Sequence, residues 1–409
     1  MTLLFVNASQ VVTCAGAPRA RVGAEMRDCG VLTDAAVAVE GTRVAAVGAR
    51  EDLERAHEGA TVVDCGGGVL TPGLVDSHTH AIFGRARYEE QERRAAGADY
   101  MEIARQGGGI HASVRDLRAR DAAELLALAR PRLERLASYG TTTVEVKSGY
   151  GLSIEDELKI LRVIRQLSAE LALRIVPTWL GAHEIPREAR ATPATRASYV
   201  KMLRKEMLPL VMNEQLAAFA DVFCEPGVFT IAESRELLLA ARAAGLKLKL
   251  HADELAPSGG AELAAELRAT SADHLAAISA EGVQALASSG TVATLLPGTM
   301  LFLGKGTRPP ARASALPQKE QGHSPARARA PRRGSRGRAG DRFQSGHVAH
   351  AESPVHPHAR RERASHERFG SAARCHGERS SGARARGRHR AARAGLLRRP
   401  CALRHRGHS

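Results

Sequence analysis

The chain has 409 residues, of which 44% are hydrophobic, and this length suits one large domain of about 250 to 300 residues with a smaller one beside it. It contains no apolar run of about 18 residues, and its start, "MTLLFVNASQVVTC", has no basic region before a long apolar stretch. We therefore expect a cytoplasmic protein with neither a membrane span nor a secretory signal.

The positive charge is concentrated in the C-terminal tail. The formal net charge is +15, but residues 311–409 alone contain 23 Arg, one Lys and six acidic residues, so their local charge is +18 and residues 1–310 carry −3. The tail also holds ten of the 17 histidines and few large hydrophobic residues, so it cannot bury enough apolar surface to offset the entropy lost on folding. Phe343 and Phe369 are too few aromatic rings to stack on nucleic-acid bases. We expect a disordered tail and no nucleic-acid partner.

The first 65 residues have the pattern of a small β-domain. The stretch "AVAVEGTRVAAVG", residues 36–48, alternates apolar and small residues on both sides of a Glu-Gly turn, which is typical of a β-hairpin. The stretches "LLFVNA" and "TVVDCGG" on either side of it predict two further strands.

From residue 66 onward the pattern changes to strands that alternate with helices. In chain order, the sequence predicts a strand at 73–80, a helix at 122–140, a strand at 141–151, a helix at 154–171, a strand at 172–183, a helix at 234–245, a strand at 246–254, a helix at 260–269, a strand at 271–276, a helix at 280–290 and a strand at 291–298. This alternation is typical of βαβ units and of a parallel sheet.

Polar residues lie at or just past the C-terminal ends of the predicted strands: His78, His80, Lys147, Tyr150, His183, His251, Glu254 and His274. The active site of a (β/α) barrel is built from strand ends and the loops that follow them, so this distribution predicts a TIM-like barrel. A doubly wound sheet is the structural alternative. Neither "GGG" stretch, at 66–68 or at 107–109, opens a GxGxxG helix, so a nucleotide-binding site has no support.

The stretch "DSHTH" carries the strongest local signal for chemistry. In an extended strand His78 and His80 point the same way, because side chains alternate with period two. His251 also closes an apolar strand, and imidazole nitrogens are ligands that Zn²⁺ or Fe²⁺ accepts, with positions left for a carboxylate and a water. These residues predict one divalent metal ion, zinc or iron. The alternative, a structural HxH pair without a metal, stays open on the local pattern alone.

Five motifs resemble, in order and spacing, the imidazolonepropionases of the amidohydrolase superfamily: "PGLVDSHTHAIFGRAR", "VEVKSGYGL", "WLGAHEIP", "LHADEL" and "SADHL". The resemblance covers about residues 1–305. It implies a metal-dependent (β/α)8 hydrolase barrel beside a composite β-sandwich. It also implies hydrolysis of a small-molecule partner, the cyclic amide 4-imidazolone-5-propanoate, to N-formimidoyl-L-glutamate in histidine degradation. A homodimer is left open.

The resemblance also implies roles for individual residues. The family's metal ligands match His78, His80 and His251. Its substrate contacts match Arg87, Tyr150 and His183, with Arg87 on the substrate carboxylate. Its catalytic glutamate corresponds to Glu254, and a histidine near the metal corresponds to His274.

These roles agree with elementary physical chemistry. A divalent metal lowers the pKa of a bound water toward neutrality, which makes hydroxide available to attack the ring carbonyl. Glu254 can take or relay the proton, and His183 or His274 can polarise the developing oxyanion. Arg87 offers a two-pronged donor to the propionate. Without the resemblance, each of these residues has an equally good structural interpretation. Arg87 can be a surface residue of the charged stretch "RARYEEQERR", Tyr150 can pack beside a Gly-rich turn, and His274 can be a histidine of the core.

After "LLPGTMLFLGKG" the chain departs from the family. Members carry one more metal ligand, an aspartate, in a "TDFNPG"-like loop that is followed by a helical segment and closing β-strands, and none of these appears here in frame. A nucleic-acid-binding tail is one interpretation. An HxxH metal site at His347 and His350 is another, but no helical pattern would hold that pair on one face. The third is that the tail is an out-of-frame reading of the family's C-terminal region, caused by a frameshift in the gene or by a sequencing error.

The letters of the tail support the third interpretation. Written as GAC CGA TTT CAA TCC, the codons for Asp341 to Ser345 regroup one base along to encode Thr-Asp-Phe-Asn and the start of a Pro codon. Residues 346–350 continue this reading with Gly-Thr-Ser-His, and residues 336–340 precede it with Val-Ala-Ala-Leu-Ala, an apolar strand. The codons are chosen within the degeneracy of the code, but the recovered order of strand and aspartate loop is that of the family.

The sequence therefore divides into three parts. Residues 1–65 are the N-terminal part of a composite β-sandwich, residues 66–305 a barrel that is incomplete at its C-terminal end, and residues 306–409 a basic tail that is out of frame. The predicted activity is that of an imidazolonepropionase whose fourth metal ligand is missing from the chain as written. The alternatives are another cyclic amidohydrolase or a deaminase on the same scaffold, an inactive remnant, and a binding protein with a basic tail.

Resequencing the gene across about codons 300 to 345 tests the frame. We expect a base gained or lost between about codons 305 and 325, because one such correction restores the aspartate loop and the strand before it. A verified gene with no missing or extra base in this window would contradict the interpretation.

Overall fold

The computed structural model describes residues 1–97, 103 and 107–302. The predictions made for the tail lie outside these residues, namely its disorder, its extent at 306–409 and the HxxH pair His347 and His350. The described residues form three β-sheets, and most of the helices pack around the largest sheet.

The N-terminal residues form two small sheets. One contains β1 (Thr2–Val6), β4 (Ala35–Glu40), β5 (Arg43–Ala49) and β6 (Thr61–Asp64), in the spatial order β5-β4-β1-β6. The other contains β2 (Gln10–Val12), β3 (Val31–Leu32) and β7 (Val69–Leu70), in the order β3-β2-β7. A short 3-10 helix lies at Gly23–Arg27, and an α-helix at Arg50–Ala56 connects β5 to β6.

The hairpin predicted at 36–48 is confirmed. Strands β4 and β5 pair antiparallel on either side of Gly41, whose φ of +61° is one that glycine adopts without steric cost. The two flanking strands are confirmed as well, because β1 pairs antiparallel with β4 and parallel with β6. The core of this sheet consists of Leu4, Val6, Ala36, Ala38 and Leu53.

A seven-stranded parallel sheet forms the main body. Its strands are β8 (Leu74–Asp76), β9 (Thr141–Lys147), β10 (Arg174–Ala182), β11 (Phe219–Cys224), β12 (Lys247–Ala252), β13 (Ser271–His274) and β14 (Val292–Leu295). Each strand is parallel to its neighbours, and the spatial order follows the chain order. This is the predicted (β/α) barrel arrangement and not the doubly wound alternative, in which the strand order would reverse.

Helices fill the connections between these strands. They are Tyr88–Ala95, Ile110–Arg118, Ala122–Ser138, Ile154–Glu170, Pro193–Met202, Leu208–Asn213, Ile231–Ala243, Gly260–Glu266, Ala280–Ser289 and Pro297–Phe302. A 3-10 turn lies at Arg187–Ala189 and a π-helical turn at Leu203–Met207. The side chains of Asp121, Ser153 and Thr230 begin three of the helices by accepting a backbone N–H from the first turn. Among the described residues, no helix combines the length and the apolarity needed to cross a membrane.

The barrel strands alternate apolar and charged residues, and the two kinds face opposite sides of the sheet. Val144 of β9 and Leu250 of β12 belong to the large core cluster that packs against the helices. Lys147 and Lys249, on the same strands but at the other phase of the alternation, point to the inner side, where they contact carboxylates of other strands. The interior of this barrel is therefore charged, whereas its outer layer is apolar.

Two predictions about strands are wrong in detail. The strand predicted at 73–80 ends at Asp76, so His78 and His80 lie in the loop that follows it. Its end has a local cause, because the backbone N–H of His78 donates to Oδ1 of Asp76 at 3.3 Å, an arrangement that favours a turn. The sequence also missed the helices at 193–213 and strand β11, whose letters "FADVFC" place an aspartate inside an otherwise apolar run.

Both edges of the seven-stranded sheet are open within the described part of the chain. Strand β8 pairs only with β9 there, and β14 only with β13. Their side chains include exposed hydrophobic residues: Leu74 at 51%, Val75 at 67%, Val292 at 44% and Leu295 at 40% exposure. A closed barrel has no edges, so the seven strands of the described residues do not close into a complete barrel by themselves.

Replacing Leu161 by Ala tests the packing between the helix Ile154–Glu170 and the sheet. Leu161 is fully buried in the main core cluster, so its truncation should lower the free energy of unfolding by about 2 to 5 kcal/mol in urea denaturation. Leu239→Ala is the matched control, because Leu239 is 44% exposed on another helix and its truncation should cost about 0.5 kcal/mol or less. Equal losses for the two variants would contradict this assignment of the core.

Candidate metal centre and active site

Three imidazole rings converge at the carboxyl end of the parallel sheet. His78 and His80 lie in the loop after β8, and His251 lies near the end of β12. One nitrogen from each ring lies within 4.8 Å of the other two. His78 and His251 are buried, whereas His80 is only half-buried. The structure thus brings together the three residues that the sequence singled out as metal ligands.

Two aspartates face the Nδ1 side of the buried rings. Nδ1 of His78 is hydrogen-bonded to Oδ2 of Asp273 at 2.7 Å, whereas Nδ1 of His251 lies 3.0 Å from Oδ2 of Asp221 without the angle of a hydrogen bond. A carboxylate hydrogen-bonded to Nδ1, as at His78, keeps the proton on that nitrogen and leaves Nε2 as an acceptor. Nε2 of His251 lies 3.3 Å from Nε2 of His80. Nε2 of His78 is buried without a hydrogen-bond partner among the described residues.

These nitrogens fit a divalent metal ion. Two ring nitrogens that face each other, and a third that is buried without a hydrogen-bond partner among the described residues, are the kind of group that a cation between them satisfies. Imidazole nitrogens are ligands that Zn²⁺ and Fe²⁺ accept readily. Within the described part of the chain this group consists of three histidines and includes no carboxylate. It can therefore supply three ligands of a metal site.

Other aromatic rings surround the three histidines. The ring of His183, directly after β10, stacks on that of His80 with their centroids 4.9 Å apart, and the ring of Tyr150 lies 5.3 Å from that of His183. The ring centroid of His274, the last residue of β13, lies 4.9 Å and 5.0 Å from those of two candidate ligands. The structure therefore places Tyr150, His183 and His274 in one group with the metal-type histidines.

Glu254 joins this group through His274. Its Oε1 lies 3.5 Å from Nδ1 of His274. The backbone around both residues is unusual, because Asp253 and His274 have φ values of +50° and +79°, which residues other than glycine rarely adopt. Asp253 is held in place by the backbone N–H groups of residues 258–261, which donate to its buried carboxylate. Strained strand ends of this kind are typical of functional sites.

A buried glutamate shapes the loop that carries Tyr150. The carboxylate of Glu157 accepts three backbone N–H groups from residues 149–152. Burial raises the pKa of Glu157, and the hydrogen bonds to its carboxylate oppose this rise. Gly149 has a φ of +110°, and a Cβ there would lie 2.9 Å from Nδ1 of His183. Only glycine therefore fits between this loop and the histidine.

Arg87 lies outside the group of rings described above. It comes directly before the helix Tyr88–Ala95, and its Nη1 is 3.5 Å from Oε2 of Glu90. Glu90 in turn accepts the backbone N–H of Gly109 at 2.8 Å, so the arginine is connected to the glycine-rich turn at 107–109. The side chain of Arg87 is only 21% exposed, which argues against the plain interpretation of a solvated helix face.

A layer of buried charge lies on the inner side of the sheet next to the histidines. The residues of this charged layer are Glu145, Lys147, Asp221, Lys249 and Asp273. Burial by itself would lower the pKa of Lys147, but the carboxylates around it raise that pKa above its usual value. Burial would likewise raise the pKa of Asp221, yet His251 and Lys147 hold it well below its usual range. Lys147 and Asp221 are therefore both charged.

Two carboxylates of the charged layer, Glu145 and Asp273, form with His78 a second group that has the spacing of a metal site. Two ammonium groups already neutralise it. Nζ of Lys147 is 2.8 Å from Oε1 of Glu145, and Nζ of Lys249 is 3.3 Å from Oδ2 of Asp273. The cations of this second group are therefore lysine side chains, and the candidate metal centre is the group of three histidines.

The sequence alone did not identify Glu145, Asp221 and Asp273 as parts of the site. Each is a carboxylate inside a short apolar strand, in "TTTVEVK", "FADVFC" and "SADH". A buried acid is unfavourable without a partner, so such an interruption is a usable signal for an internal ion pair or a ligand-orienting group. The partners themselves come from other strands, which the local pattern does not reveal.

Comparison with proteins of known identity points to one enzyme. The chain is 50% identical over 273 residues to the imidazolonepropionase of Symbiobacterium thermophilum, a match that covers 66% of this chain and 63% of that protein. It is 47% identical over 268 residues to the imidazolonepropionase of Solibacter usitatus, with 65% of this chain and 63% of that protein covered. The chain therefore spans less than two thirds of the length of these relatives. No protein-family model matches it.

Solved structures share the fold at low sequence identity. An adenosine deaminase from Xanthomonas campestris with bound zinc is similar with a TM-score of 0.51 and 18% identity, over 76% of this chain and 66% of that one. A triazine hydrolase variant is similar with a TM-score of 0.52 and 16% identity, over 76% of this chain and 68% of that one. At such identities the likeness establishes the fold alone.

The pH dependence of stability tests the buried state of His183. Burial, together with the nearby His251, lowers the pKa of His183 to about 3, so the folded protein keeps the ring neutral where an unfolded chain with a histidine pKa of about 6.5 binds a proton. The stabilisation that this difference represents is complete above pH ~6.5 and is lost as the pH falls toward the folded-state pKa.

Urea unfolding of the metal-free protein and of its His183→Asn variant should show this direction of change in the free energy of unfolding. As the pH falls from about 7 to about 5, the free energy of unfolding should decrease more steeply in the parent than in the variant. His111→Gln provides a second case, because burial together with Arg190 and Arg187 lowers the pKa of His111 to about 4. A difference between parent and variants that stays constant with pH would contradict the buried neutral state.

Proposed function

We propose that this chain, a relative of the imidazolonepropionases over about two thirds of its length, carries the catalytic framework for hydrolysis of 4-imidazolone-5-propanoate to N-formimidoyl-L-glutamate. The observation that carries the proposal is the convergence of His78, His80 and His251 at the carboxyl end of a parallel (β/α) sheet. Active sites of such barrels lie at this end. The reaction breaks a C–N bond of a cyclic amide, and the cytoplasm is the proposed compartment.

The three histidines would hold the metal, for which we propose Zn²⁺ or Fe²⁺. When bound, such an ion supplies a Lewis acid that makes water nucleophilic near neutral pH. The protein contributes the orientation of the rings, because Asp273 is hydrogen-bonded to Nδ1 of His78 and Asp221 lies 3.0 Å from Nδ1 of His251.

Glu254 and His274 are the proposed proton-handling pair. Glu254 would take a proton from the attacking water and deliver it to the ring nitrogen that leaves. Its carboxylate lies 3.5 Å from an imidazole nitrogen of His274, so the two side chains can exchange this proton. His183 would contact the substrate as an acceptor. Burial keeps its imidazole neutral, and Nδ1 is 2.9 Å from the carbonyl oxygen of Gly149, so the ring proton stays on Nδ1 and Nε2 is left to accept an N–H group of the substrate.

Arg87 and Tyr150 are the proposed contacts of the substrate. A guanidinium group can bind the propionate of the substrate through two parallel N–H bonds. In the structure Arg87 is paired with Glu90, so substrate binding would replace one carboxylate by another. Tyr150 stands beside His183 and His80, where its ring can cover the flat imidazolone.

The division of the chain is part of the same proposal. Residues 1–65 begin a composite β-sandwich, residues 66–305 form the barrel, and residues 306–409 are translated out of frame. Two observations support this: the sheet is open at β8 and β14 within the described residues, and the group of three histidines includes no carboxylate. The correct frame would supply an eighth strand that ends in an aspartate. The chain as written would then be an inactive remnant of an active enzyme.

Assay of two proteins tests the proposal. One is the chain as written, and the other is the product of the gene with a single-base correction between about codons 305 and 325. With Zn²⁺ or Fe²⁺, the corrected protein should consume the imidazolone, whereas the chain as written should be at least about a thousandfold slower, since removal of a charge-stabilising group costs this much. Full activity of the chain as written would contradict the frame shift, and an inactive but folded corrected protein would contradict the function.

Two substitutions in the corrected protein separate chemistry from binding. Glu254→Gln should lower kcat by about 10² to 10⁴ with little change in KM, because it removes only the proton transfer. Arg87→Lys should mainly raise KM, because an ammonium group cannot bind a carboxylate through two parallel bonds. The exposed residues Glu58 and Arg43 provide matched controls as Glu58→Gln and Arg43→Lys, which should leave both constants unchanged.

A further inference from the structure

We propose that Lys147 and Lys249 are positioning residues of the metal centre: they hold Asp221 and Asp273 in the orientation in which these carboxylates fix the Nδ1 protons of the ligand histidines. The inference rests on the proposed function only in taking the three histidines as the metal ligands. The proposed hydrolysis gives these two lysines no chemical role of their own.

Lys147 connects two carboxylates across the inner side of the sheet. Its Nζ is 2.8 Å from Oε1 of Glu145 on its own strand and 2.8 Å from Oδ2 of Asp221 on β11. The oxygen that Lys147 contacts on Asp221 is the same one that lies 3.0 Å from Nδ1 of His251. Because ammonium and imidazole share one oxygen, the position of the lysine determines where that oxygen lies relative to the ring.

Lys249 makes the corresponding connection to the other buried ligand. Its Nζ is 3.3 Å from Oδ2 of Asp273, and this is the oxygen that lies 2.7 Å from Nδ1 of His78. The same Nζ is 2.9 Å from Oε2 of Glu145 and donates to the carbonyl oxygen of Ser77 at 2.7 Å. Ser77 directly precedes His78, so Lys249 holds both the ring partner and the backbone of this ligand.

The charged layer as a whole has a net charge of −1. Its two ammonium groups neutralise two of its three carboxylates, and the side chains are at most 7% exposed. A residual negative charge next to the three imidazoles favours a cation among their nitrogens, because water screens little at this burial. The layer thus complements a divalent ion in charge as well as in geometry.

Stability alone does not account for such a layer. Buried ion pairs contribute little net stability compared with apolar residues of the same volume, since desolvation cancels most of the attraction. The outer phase of the same strands is apolar, which shows that this fold accommodates hydrophobic residues at neighbouring positions. A role in orienting the ligand histidines explains why the inner phase is charged.

The test compares Lys147→Met and Lys249→Met with the parent full-length chain. Methionine keeps much of the volume of the lysine stem and removes the ammonium group. ¹⁵N NMR of histidine-labelled, metal-free protein reports which ring nitrogen carries the proton. The signals can be assigned with His78→Gln and His251→Gln.

In the parent, His78 and His251 should both carry the proton on Nδ1. Lys249→Met should give His78 a mixture of tautomers and leave His251 unchanged. Lys147→Met should have its larger effect at His251 and a smaller one at His78, because Nζ of Lys147 is also 3.6 Å from Oδ2 of Asp273. The dissociation constant for Zn²⁺ alone, measured by competition with a chromophoric chelator, should rise about 10- to 100-fold in both variants.

Two controls separate positioning from general damage. Lys159→Met removes a lysine that is ion-paired to Asp156 at 2.7 Å on an outer helix, and it should change neither tautomers nor Zn²⁺ affinity. The emission of Trp179, which is the single tryptophan and is buried in β10, reports the fold and should be unchanged in every variant that is scored.

Charge-balanced double variants cover the case in which a single variant fails to fold. Lys147→Met with Glu145→Gln, and Lys249→Met with Glu145→Gln, both keep the layer at −1. If the lysines position the aspartates, the double variants should still show the altered tautomer and the weaker Zn²⁺ binding. Parental tautomers and parental affinity in folded single or double variants would overturn the inference, because the lysines would then only balance charge. The tautomer measurement needs no hydrolysis, so an inactive enzyme would contradict the proposed function without affecting this result.

Discussion

The candidate site depends on one interaction, the sharing of a carboxylate oxygen between a buried ammonium group and an imidazole. It occurs twice, at Asp221 between Lys147 and His251 and at Asp273 between Lys249 and His78. Each arrangement ties strands together that lie far apart in the sequence. An imidazole alone can rotate and exchange its proton between two nitrogens, but one that faces a fixed carboxylate cannot. The three histidines can act together only because this charge lies beneath them.

The parallel sheet explains why such charges can meet. In a barrel of parallel strands, all inner-facing residues near the carboxyl ends lie around one axis, so every second position of β9, β11, β12 and β13 contributes to the same small volume. The outer phase packs against helices and supplies the apolar core. Within the described residues, the sheet is unpaired at β8 and β14, and both strands carry exposed hydrophobic side chains.

The loops after the strands carry the remaining site residues, and buried acids hold them. Glu157 binds the turn that carries Tyr150, and Asp253 binds the turn that follows His251. Each carboxylate accepts several backbone N–H groups. Both turns contain residues with positive φ, a conformation that these hydrogen bonds stabilise. Two sets of buried carboxylates therefore position the site. Those of the charged layer face the histidines, and those of Glu157 and Asp253 order the loops.

Much of the fold was predictable, because alternating strands and helices, the hairpin at β4 and β5 and the polar residues at strand ends are local patterns with periods of two and 3.6 residues. The histidines, Glu254 and the motifs that resemble imidazolonepropionases are likewise local. Strand β11 was missed because an aspartate interrupts its short apolar run, and the ends of β8 were misplaced because a turn stabilised by Asp76 follows it. The sequence by itself thus determined most of the elements and the candidate ligands. Only the tertiary structure decided that Asp221, Asp273 and the two lysines face those ligands, because contacts between residues such as His78 and Asp273 arise from the curl of the sheet and leave no trace in local periodicity.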